Sequence, residues 1–488
     1  MPSETSPRAV GSRLLRTGSV YAFASLVNRG ATFILLPIYS RCLSPAQFGV
    51  VNLAETIAVV LGTIAVMGLP SALEPIYFKH PRSSAEQTTV VAATLRLTLG
   101  LAAGFGVLFL AAGPSVMHSI LPSFSVPFHP FIAVALIAAV CTQTFQLPLV
   151  IARAQEQAGR FVALSLGHFG LSTAGTLMLV VALSWGSFGM LFARAVAAAI
   201  VATVGLWTLR GWLLSGHSGQ VSKRQACSDA LQLAVPLLPH QMAAFVIEIG
   251  NRFFIEHYRS TEEVGLYSMA YSVGSVMNVV NTTILMAWSP VYFQKARQGG
   301  ANVKILGDVG GALIGGLVII AAIGAAFGPI AMRFLLDARY TPAGPAAAFV
   351  IAGNLLHGLL SLFLLAIMHS GKTQYLAAAT ALAAAVSLIA NFFLVPSYGF
   401  IGGTWATLIA YAIECVLVFV MATRLFPVAY PWRRILLWLA GFGAVLAMPL
   451  LVVGPTYSAV AGGLAVLALS CVVWLSGRGC LRGLRVAR

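Results

Sequence analysis

Residues 25–40, SLVNRGATFILLPIYS, contain an arginine, Arg29, within a longer apolar segment that begins near residue 17. Arg29 has mostly apolar residues on both sides, and the next acidic residue along the chain is Glu55. In a helix with a rise of ~1.5 Å per residue, the Cα atom of Arg29 would lie near the middle of a ~30 Å hydrocarbon layer. An isolated charge at that depth costs about 3 kcal/mol on insertion scales. The stretch therefore predicts a membrane helix whose arginine faces water or a ligand rather than lipid.

The composition extends this interpretation to the whole chain. Hydrophobic residues make up 59% of the 488 residues, charged residues only 9%, and the mean hydropathy is +0.90. Soluble domains carry about 25% charged residues, so the chain is predicted to be an integral membrane protein. The formal charge of +16 is explained by basic cytoplasmic loops, and no nucleic-acid partner is expected. The six cysteines form no CxxC pair, and we expect neither a metal site nor a cofactor.

Roughly fourteen apolar stretches of about 20 residues divide the chain. An even number of spans places both termini on one side of the membrane. With that side as cytoplasm, 21 Lys and Arg residues fall in cytoplasmic segments and four in outer loops. This asymmetry predicts a multi-pass protein of the cytoplasmic (inner) membrane with both termini in the cytoplasm. The predicted spans, with approximate bounds, are 17–39, 47–69, 88–112, 127–149, 160–184, 188–209, 230–257, 264–288, 305–328, 345–368, 374–395, 400–423, 434–453 and 457–476.

Two pairs of segments indicate an internal repeat. FGVVNLA (48–54) resembles VGLYSMA (264–270), 216 residues later, and WGSFGMLFA (185–193) resembles YGFIGGTWA (398–406), 213 residues later. Each repeat contains six spans, an even number, so the two copies are expected to be parallel in the membrane.

This repeat predicts the fold class and the domain boundaries. We expect an all-α integral membrane protein with two parallel six-helix lobes around a central cavity, followed by two C-terminal helices. The predicted domains are an N-terminal lobe over 1–216, a C-terminal lobe over 217–426, and a last helix pair with a basic cytoplasmic tail over 427–488.

Charged and amide side chains within the predicted spans are the candidate functional residues. A guanidinium binds phosphate through bidentate, charge-assisted hydrogen bonds, so arginines in an apolar interior indicate an anionic substrate. Intramembrane carboxylates are candidates for binding a proton or a sodium ion. Substrate-binding candidates are Arg29, Arg252, Asn28 and Asn251, and candidates for ion coupling or charge pairing are Glu55, Glu248, Glu256 and Glu414. No catalytic residue is predicted.

Structural interpretations stay open for several of these residues. Glu248, Arg252 and Glu256 recur at four-residue spacing and would form one charged stripe along a continuous helix over 230–257. In that stripe Glu248 and Arg252 could neutralise each other.

Glu55, in the second predicted span, could likewise neutralise the charge of Arg29 in the first. For Arg96 and Arg194, the favoured interpretation is structural, with side chains that extend towards the membrane interface.

With these features the chain resembles the MOP (multidrug/oligosaccharidyl-lipid/polysaccharide) exporter superfamily, and specifically its polysaccharide or O-antigen-type flippases. The resemblance implies transport of polyprenyl-diphosphate-linked oligosaccharide to the outer leaflet, with the diphosphate held by Arg29 and Arg252. It also implies membrane lipid and polysaccharide-assembly proteins as partners, and H⁺ or Na⁺ as coupling ion. The stretches that carry the resemblance are LLPIYSRCLSPAQFGVVNLA (35–54), RFFIEHYRSTEEVGLYSMAY (252–271), RAQEQAGRF (153–161) and YGFIGGTWAT (398–407).

Other functions stay open at this stage. One alternative is a cation-coupled multidrug exporter, although such exporters typically place a carboxylate in the first helix, where this chain has Arg29. Another is a peptidoglycan-precursor flippase. A remote alternative is a membrane polysaccharide polymerase or ligase, but the sequence has no DxD, GxSxG, HExxH or P-loop pattern, so we do not expect an enzyme.

Overall fold

The structure is a computed structural model of the chain and describes residues 33–79, 85–120, 124–214, 222–299, 302–372, 374–451 and 462–474. Throughout these ranges the regular structure is helical, because a helix satisfies its backbone hydrogen bonds internally, as a lipid environment requires. Within the described residues, nine helical segments, some of which join two of the helices defined below, are long and apolar enough to cross a membrane. The predicted all-α membrane architecture is confirmed.

The described chain contains eighteen α-helices together with short π-helical and 3₁₀ segments. In chain order the helices are α1 (Phe33–Cys42), α2 (Pro45–Ala65), α3 (Leu69–Lys79), α4 (Ala85–Ile120), α5 (Ala133–Ala154), α6 (Ala158–Thr176), α7 (Gly186–Thr208), α8 (Arg210–Leu214), α9 (Lys223–Ala234), α10 (Leu238–Ile249), α11 (Asn251–Tyr258), α12 (Thr261–Gly274), α13 (Val276–Gln298), α14 (Asn302–Leu335), α15 (Gly344–Ser370), α16 (Gln374–Leu425), α17 (Trp432–Leu451) and α18 (Gly462–Trp474). Phe128–Ile132 and Leu177–Ala182 are π-helical, and Val235–Leu237 and Ala338–Ala343 are 3₁₀ turns.

The chain folds as two compact units. Among the described residues, unit 1 runs from Ala46 to Met242, and unit 2 contains residues 33–45 together with those from Ala243 onward. Helix α1 therefore folds with unit 2, and α9 folds with unit 1. The last two helices also pack in unit 2, where Trp438 of α17 is 1% exposed and lies in one core cluster with Val473 of α18.

Both units contain the same glycine turn at the position that the repeat predicts. Gly186 and Gly399 each have φ +58°, a backbone conformation that a side chain disfavours. In unit 1 the amide of Gln47 lies against Gly186. In unit 2 the carboxylate of Glu263 takes that place, where its Oε2 atom accepts a hydrogen bond of 2.9 Å from the Phe400 N–H. The turn at Gly399 also separates the two predicted spans that α16 joins.

The seventh predicted span is not one continuous helix. It consists of α9, the 3₁₀ turn Val235–Leu237, α10 and α11. At the last junction the N–H of Gly250 donates to the carbonyl of Phe245 over 3.2 Å, five residues back rather than four. Such a wide turn adds a residue to the helical register. The four-residue spacing between Glu248 and Arg252 therefore crosses a wide turn between two helices rather than one regular helix.

A short segment of unit 2, Asp337–Tyr340, holds the C-terminal end of α1, and we call it the clasp. The Nη2 atom of Arg339 donates to the carbonyls of Ser40 and Arg41, each over 3.2 Å. The hydroxyl of Tyr340 donates to the carbonyl of Leu43 over 3.1 Å. The clasp thus satisfies carbonyls that a helix end leaves without intrahelical partners, and it places a cation at the negative end of the helix dipole.

Asp337 orients the arginine of the clasp. Its Oδ1 atom accepts from Nε of Arg339 over 2.7 Å, and its own N–H donates to Oγ of Ser40 over 3.1 Å. The hydrogen bonds from Arg339 lower the pKa of the Asp337 carboxyl.

Candidate functional site

The predicted site residues are distributed over both units. Arg29 and Asn28 lie outside the described residues. Glu55 lies in unit 1. The remaining five lie in unit 2, namely Glu248, Asn251, Arg252, Glu256 and Glu414.

In unit 1 the central feature is an ion pair between α2 and α7. Nη1 of Arg194 contacts Oε1 of Glu55, and the two side chains are 31% and 34% exposed. The interpretation that Arg194 extends to the membrane interface is therefore wrong, and Glu55 has Arg194 as a partner. An arginine in the middle of an apolar helix gains more from a carboxylate within reach than from a stretched path to water.

Other polar groups of unit 1 lie near this pair. His168 of α6 interacts electrostatically with Arg194 and stacks on Phe145, with ring centroids 5.2 Å apart. Two turns along α2, Thr63 accepts a hydrogen bond of 3.0 Å from Nε2 of Gln143 on α5. The side of α2 that carries Glu55 therefore has polar neighbours on three helices.

Arg96 has a structural role in unit 1, in agreement with its predicted interpretation. Its Nε and Nη2 atoms donate to the carbonyl of Leu213 over 3.1 and 2.7 Å. This carbonyl lies near the end of α8, so the guanidinium satisfies a backbone acceptor that the short helix leaves open.

In unit 2 a buried amide network joins α11, α12 and α16. Asn251 is 0% exposed, and its Nδ2 atom donates to the hydroxyl of Tyr267 and the carbonyl of Gly403, each over 2.9 Å, and to the hydroxyl of Thr407. Its Oδ1 atom accepts from Nδ2 of Asn391 over 2.7 Å. The amide of Asn251 is fully used in contacts within the protein.

The neighbouring Arg252 is also buried, with 8% exposure. Its Nε atom donates to the hydroxyl of Ser268 over 3.2 Å, and its guanidinium carbon lies 5.7 Å from the ring centroid of Tyr271. Ser268 and Tyr271 both lie on α12, and their contacts orient the guanidinium.

Two carboxylates share the interior of unit 2. Glu414 is 5% exposed and accepts a hydrogen bond of 2.7 Å from the hydroxyl of Thr380. Glu248 is half-buried and interacts electrostatically with Glu414 and with Tyr271 and Tyr411. Glu248 and Glu414 are therefore near enough to influence each other. Glu256, also half-buried, lies two turns further along, in α11.

Sequence reasoning missed the neutral members of these clusters. Tyr267, Ser268 and Tyr271 follow one another at helical spacing on α12, and they supply partners to both Asn251 and Arg252. On α16 polar residues recur every three or four positions, a spacing that predicts one polar face of the helix. These positions are Thr404, Thr407, Tyr411 and Glu414.

A comparison with known families decides the identity of the chain. The profile described as "Polysaccharide biosynthesis protein" matches residues 14–295, more than half of the chain. The chain belongs to this family.

Known relatives of this family member include an uncharacterized membrane protein from Haemophilus influenzae. The two are 22% identical over 299 residues, which cover 60% of this chain and 68% of the relative.

Solved structures share the fold. A lipid II flippase, MurJ, in an inward closed conformation, superposes with a TM-score of 0.68 and 14% identity over 93% of this chain and 99% of MurJ. An inward-facing multidrug resistance MATE family transporter of the MOP superfamily gives 0.58 and 14% identity over 81% of this chain and 94% of the transporter. The chain is thus a multi-pass membrane protein with the fold of MOP-superfamily transporters, and the predicted family is confirmed.

Proposed function

We propose that this protein is a flippase that moves polyprenyl-diphosphate-linked oligosaccharide across the cytoplasmic membrane by alternating access, for surface polysaccharide biosynthesis. The observation that carries the proposal is that a polysaccharide biosynthesis family member has a transporter fold. When a polysaccharide is assembled on a lipid, its sugar–diphosphate head group must cross the membrane. Such a polar, charged group can cross a bundle of apolar helices only along polar side chains inside the bundle.

Arg252 supports an anionic substrate. Its guanidinium is 8% exposed and is oriented by a hydroxyl and an aromatic ring, and a guanidinium is the side-chain group that binds phosphate best. We assign the diphosphate to Arg252 together with Arg29. Asn28 and Asn251 are the adjacent amides, and we assign Asn251 to holding α11 in place through its network.

The carboxylates are proposed to couple transport to H⁺ or Na⁺. Glu248 and Glu414 are the best placed in unit 2, because two like charges in an apolar interior favour binding of a cation between or on them. Glu55 is the corresponding candidate in unit 1, and Glu256 is the fourth. The protein supplies no catalytic step in this proposal.

The MurJ likeness favours a second candidate, a peptidoglycan-precursor flippase. The MATE likeness is the basis of a third, a cation-coupled drug exporter. Membership of the polysaccharide biosynthesis family places the first proposal ahead of both.

Transport in liposomes tests the proposal. Purified protein would be reconstituted with a fluorescent polyprenyl-diphosphate oligosaccharide, and lipid reaching the opposite leaflet would be measured by quenching with an impermeant reagent. We expect Arg29→Ala and Arg252→Ala to reduce the rate at least tenfold. The matched control is Arg333→Ala, which removes an exposed arginine at the end of α14 and should leave the rate unchanged.

Parallel substrates separate the three candidates. Transport of a lipid-linked peptidoglycan precursor alone would support the second candidate, and transport of a lipophilic cation alone would support the third. Normal transport of the oligosaccharide lipid by both arginine variants would contradict the proposed diphosphate site.

In the cell, we propose that the protein resides in the cytoplasmic membrane with both termini in the cytoplasm. The lipid-linked oligosaccharide and membrane lipid are its molecular partners, and polysaccharide-assembly proteins are its proposed protein partners.

A further inference from the structure

Helix α1 lies where the chain passes from unit 2 to unit 1. The repeat in the sequence assigns α1 to the N-terminal lobe, yet it folds with unit 2, and α2 folds with unit 1 from Ala46 onward. Only Leu43 and Ser44 separate the two helices. In a protein that works by alternating access, as proposed above, this connection must either bend or release α1 from unit 2.

The apolar packing of α1 against unit 2 is incomplete. A groove of about 250 Å³ lies between α1, α12 and the C-terminal end of α14. Among the described residues the lining of this groove is apolar and includes Leu36 and Pro37 of α1, Val273 of α12, and Met332 and Leu336 of α14. Side chains that border such a space lack the dispersion contacts of a close-packed interface. This face of α1 therefore adheres to unit 2 less strongly than a close-packed helix would.

The clasp supplies polar contacts to α1 directly beside the groove. Asp337 follows Leu336 and lies between two segments that are long and apolar enough to span a membrane. Nη2 of Arg339 donates to the carbonyls of Ser40 and Arg41. Carbonyls at a helix end accept from water as well, so these hydrogen bonds can break at little cost. Asp337 accepts from the backbone N–H and from Nε of Arg339 over 3.1 and 2.7 Å, which keeps the guanidinium in position for the clasp to close again.

We propose that α1 is a detachable helix of unit 2, that the clasp is its latch, and that opening of this latch is a step of the transport cycle. In the closed state the guanidinium of Arg339 bonds the end of α1, as in the structure. In the open state water satisfies those carbonyls, and α1 separates from α12 and α14 along the groove. This inference rests on the proposed transport by alternating access.

Thiol labelling of the purified full-length protein, without substrate, measures whether the clasp opens. Ser40 is 0% exposed, so the thiol of Ser40→Cys reacts with a charged maleimide only when the clasp is open. Cys42→Ser removes the neighbouring exposed thiol from the parent protein, and peptide mass spectrometry measures labelling at position 40. Arg339→Gln should raise this labelling rate by about fivefold or more, because it removes two hydrogen bonds from the end of α1.

Two controls separate opening of the clasp from other effects. Arg333→Gln removes an exposed arginine that belongs neither to the clasp nor to the groove lining, and it should leave the labelling rate unchanged. Cys415 is buried in unit 2, and its labelling in the same samples reports unfolding of the unit as a whole. This second rate should stay the same in all variants.

A reversible cross-link measures whether transport needs the open clasp. Oγ of Ser40 lies 3.1 Å from the backbone nitrogen of Asp337, so the thiols of a combined Ser40→Cys and Asp337→Cys variant can be joined by oxidation in the Cys42→Ser background. In the liposome assay the oxidised protein should lose transport by about tenfold or more and regain it on reduction, because the closed clasp can no longer open. Each single-cysteine variant, oxidised in the same way, should keep its rate.

Either of two outcomes would overturn the latch. One is a labelling rate at position 40 that Arg339→Gln does not raise above that of the parent protein. The other is transport at the full rate by the cross-linked protein, which would leave the proposed function intact. If the wild type transports none of the lipids offered, the proposed function fails instead, and the labelling rates still decide whether the clasp releases α1.

Discussion

The two units share a glycine turn but differ in how their interior polar groups are satisfied. Each has a glycine with φ +58° at the repeated turn, covered by Gln47 in unit 1 and by Glu263 in unit 2. Inside unit 1, however, a full ion pair remains one-third exposed. Inside unit 2, Asn251 is 0% exposed and is enclosed by amide and hydroxyl partners.

This difference separates the positions where backbone conformation restricts the residue type from those where several residue types satisfy the same requirement. At φ +58° a glycine avoids the strain that a side chain would add, and both copies of the turn have one. Interior polar groups need only to be satisfied, and a partly exposed ion pair and an enclosed amide network are two solutions to that requirement. The pair of unit 1 stays partly exposed, whereas the network of unit 2 is enclosed in a packed core.

The comparison predicts its largest contrast in stability for the interior polar groups. Asn251→Ala would leave buried partners on α12 and α16 without a hydrogen bond, at a cost of about 2–3 kcal/mol. Glu55→Gln should cost less, about 1 kcal/mol, because the glutamine side chain keeps an oxygen that can accept from Nη1 of Arg194. Thermal unfolding in detergent measures both. An equal loss in the two variants would show that the pair of unit 1 is as structural as the network of unit 2.

The glycine turns predict a smaller contrast. Gly399→Ala forces a side chain into a disfavoured backbone conformation and against the hydrogen-bonded carboxylate of Glu263, at about 2 kcal/mol. Gly186→Ala should cost about 1 kcal/mol, because it meets the more adaptable amide of Gln47 at 3.0 Å. The unfolding midpoints of the two variants check the order, and a larger loss at Gly186 would reverse our interpretation of the two turns.

A smaller effect is expected when one turn is converted into the other. Glu263→Gln gives unit 2 the residue type of unit 1 and keeps an oxygen for the Phe400 N–H, so its cost should stay below about 1 kcal/mol. Glu263→Ala, which removes that acceptor, is the matched comparison. If both variants were equally destabilised, the negative charge rather than the hydrogen bond would be the essential feature.

The smallest change in stability is expected for the clasp, the segment of unit 2 that holds the C-terminal end of α1. Because Arg339 lowers the pKa of Asp337 in the folded protein, ionised Asp337 stabilises the fold above its ordinary pKa of about 3.9, and this contribution is lost as the pH falls through the lowered value. Wild type and Asp337→Asn should therefore differ at neutral pH and converge in acid. Unfolding midpoints between pH 3 and 7 measure this, and a constant difference would contradict the role of the ionised carboxyl.

Much of this fold is predictable because membrane helices are defined by length and composition. The long apolar stretches, the glycine at each repeated turn and the family all follow from the sequence. The break at Gly250 does not, since a five-residue hydrogen-bond step leaves no mark in an apolar pattern. The ion-pair partner of Glu55 could not be predicted from the sequence either. Glu55 and Arg194 are 139 residues apart, and only the packing of α2 against α7 brings them together. The proposed roles of Arg29 and Asn28 stay predictions.

The assignment of α1 to unit 2 and of α9 to unit 1 has a consequence for anyone who divides the gene. A cut at the repeat boundary near residue 216 would leave α1, which packs in unit 2, on the N-terminal fragment. It would leave α9, which packs in unit 1, on the C-terminal fragment. Neither polypeptide would contain a whole folding unit. Co-expressed halves should therefore accumulate only when each is made in the presence of the other, and either half alone should be degraded.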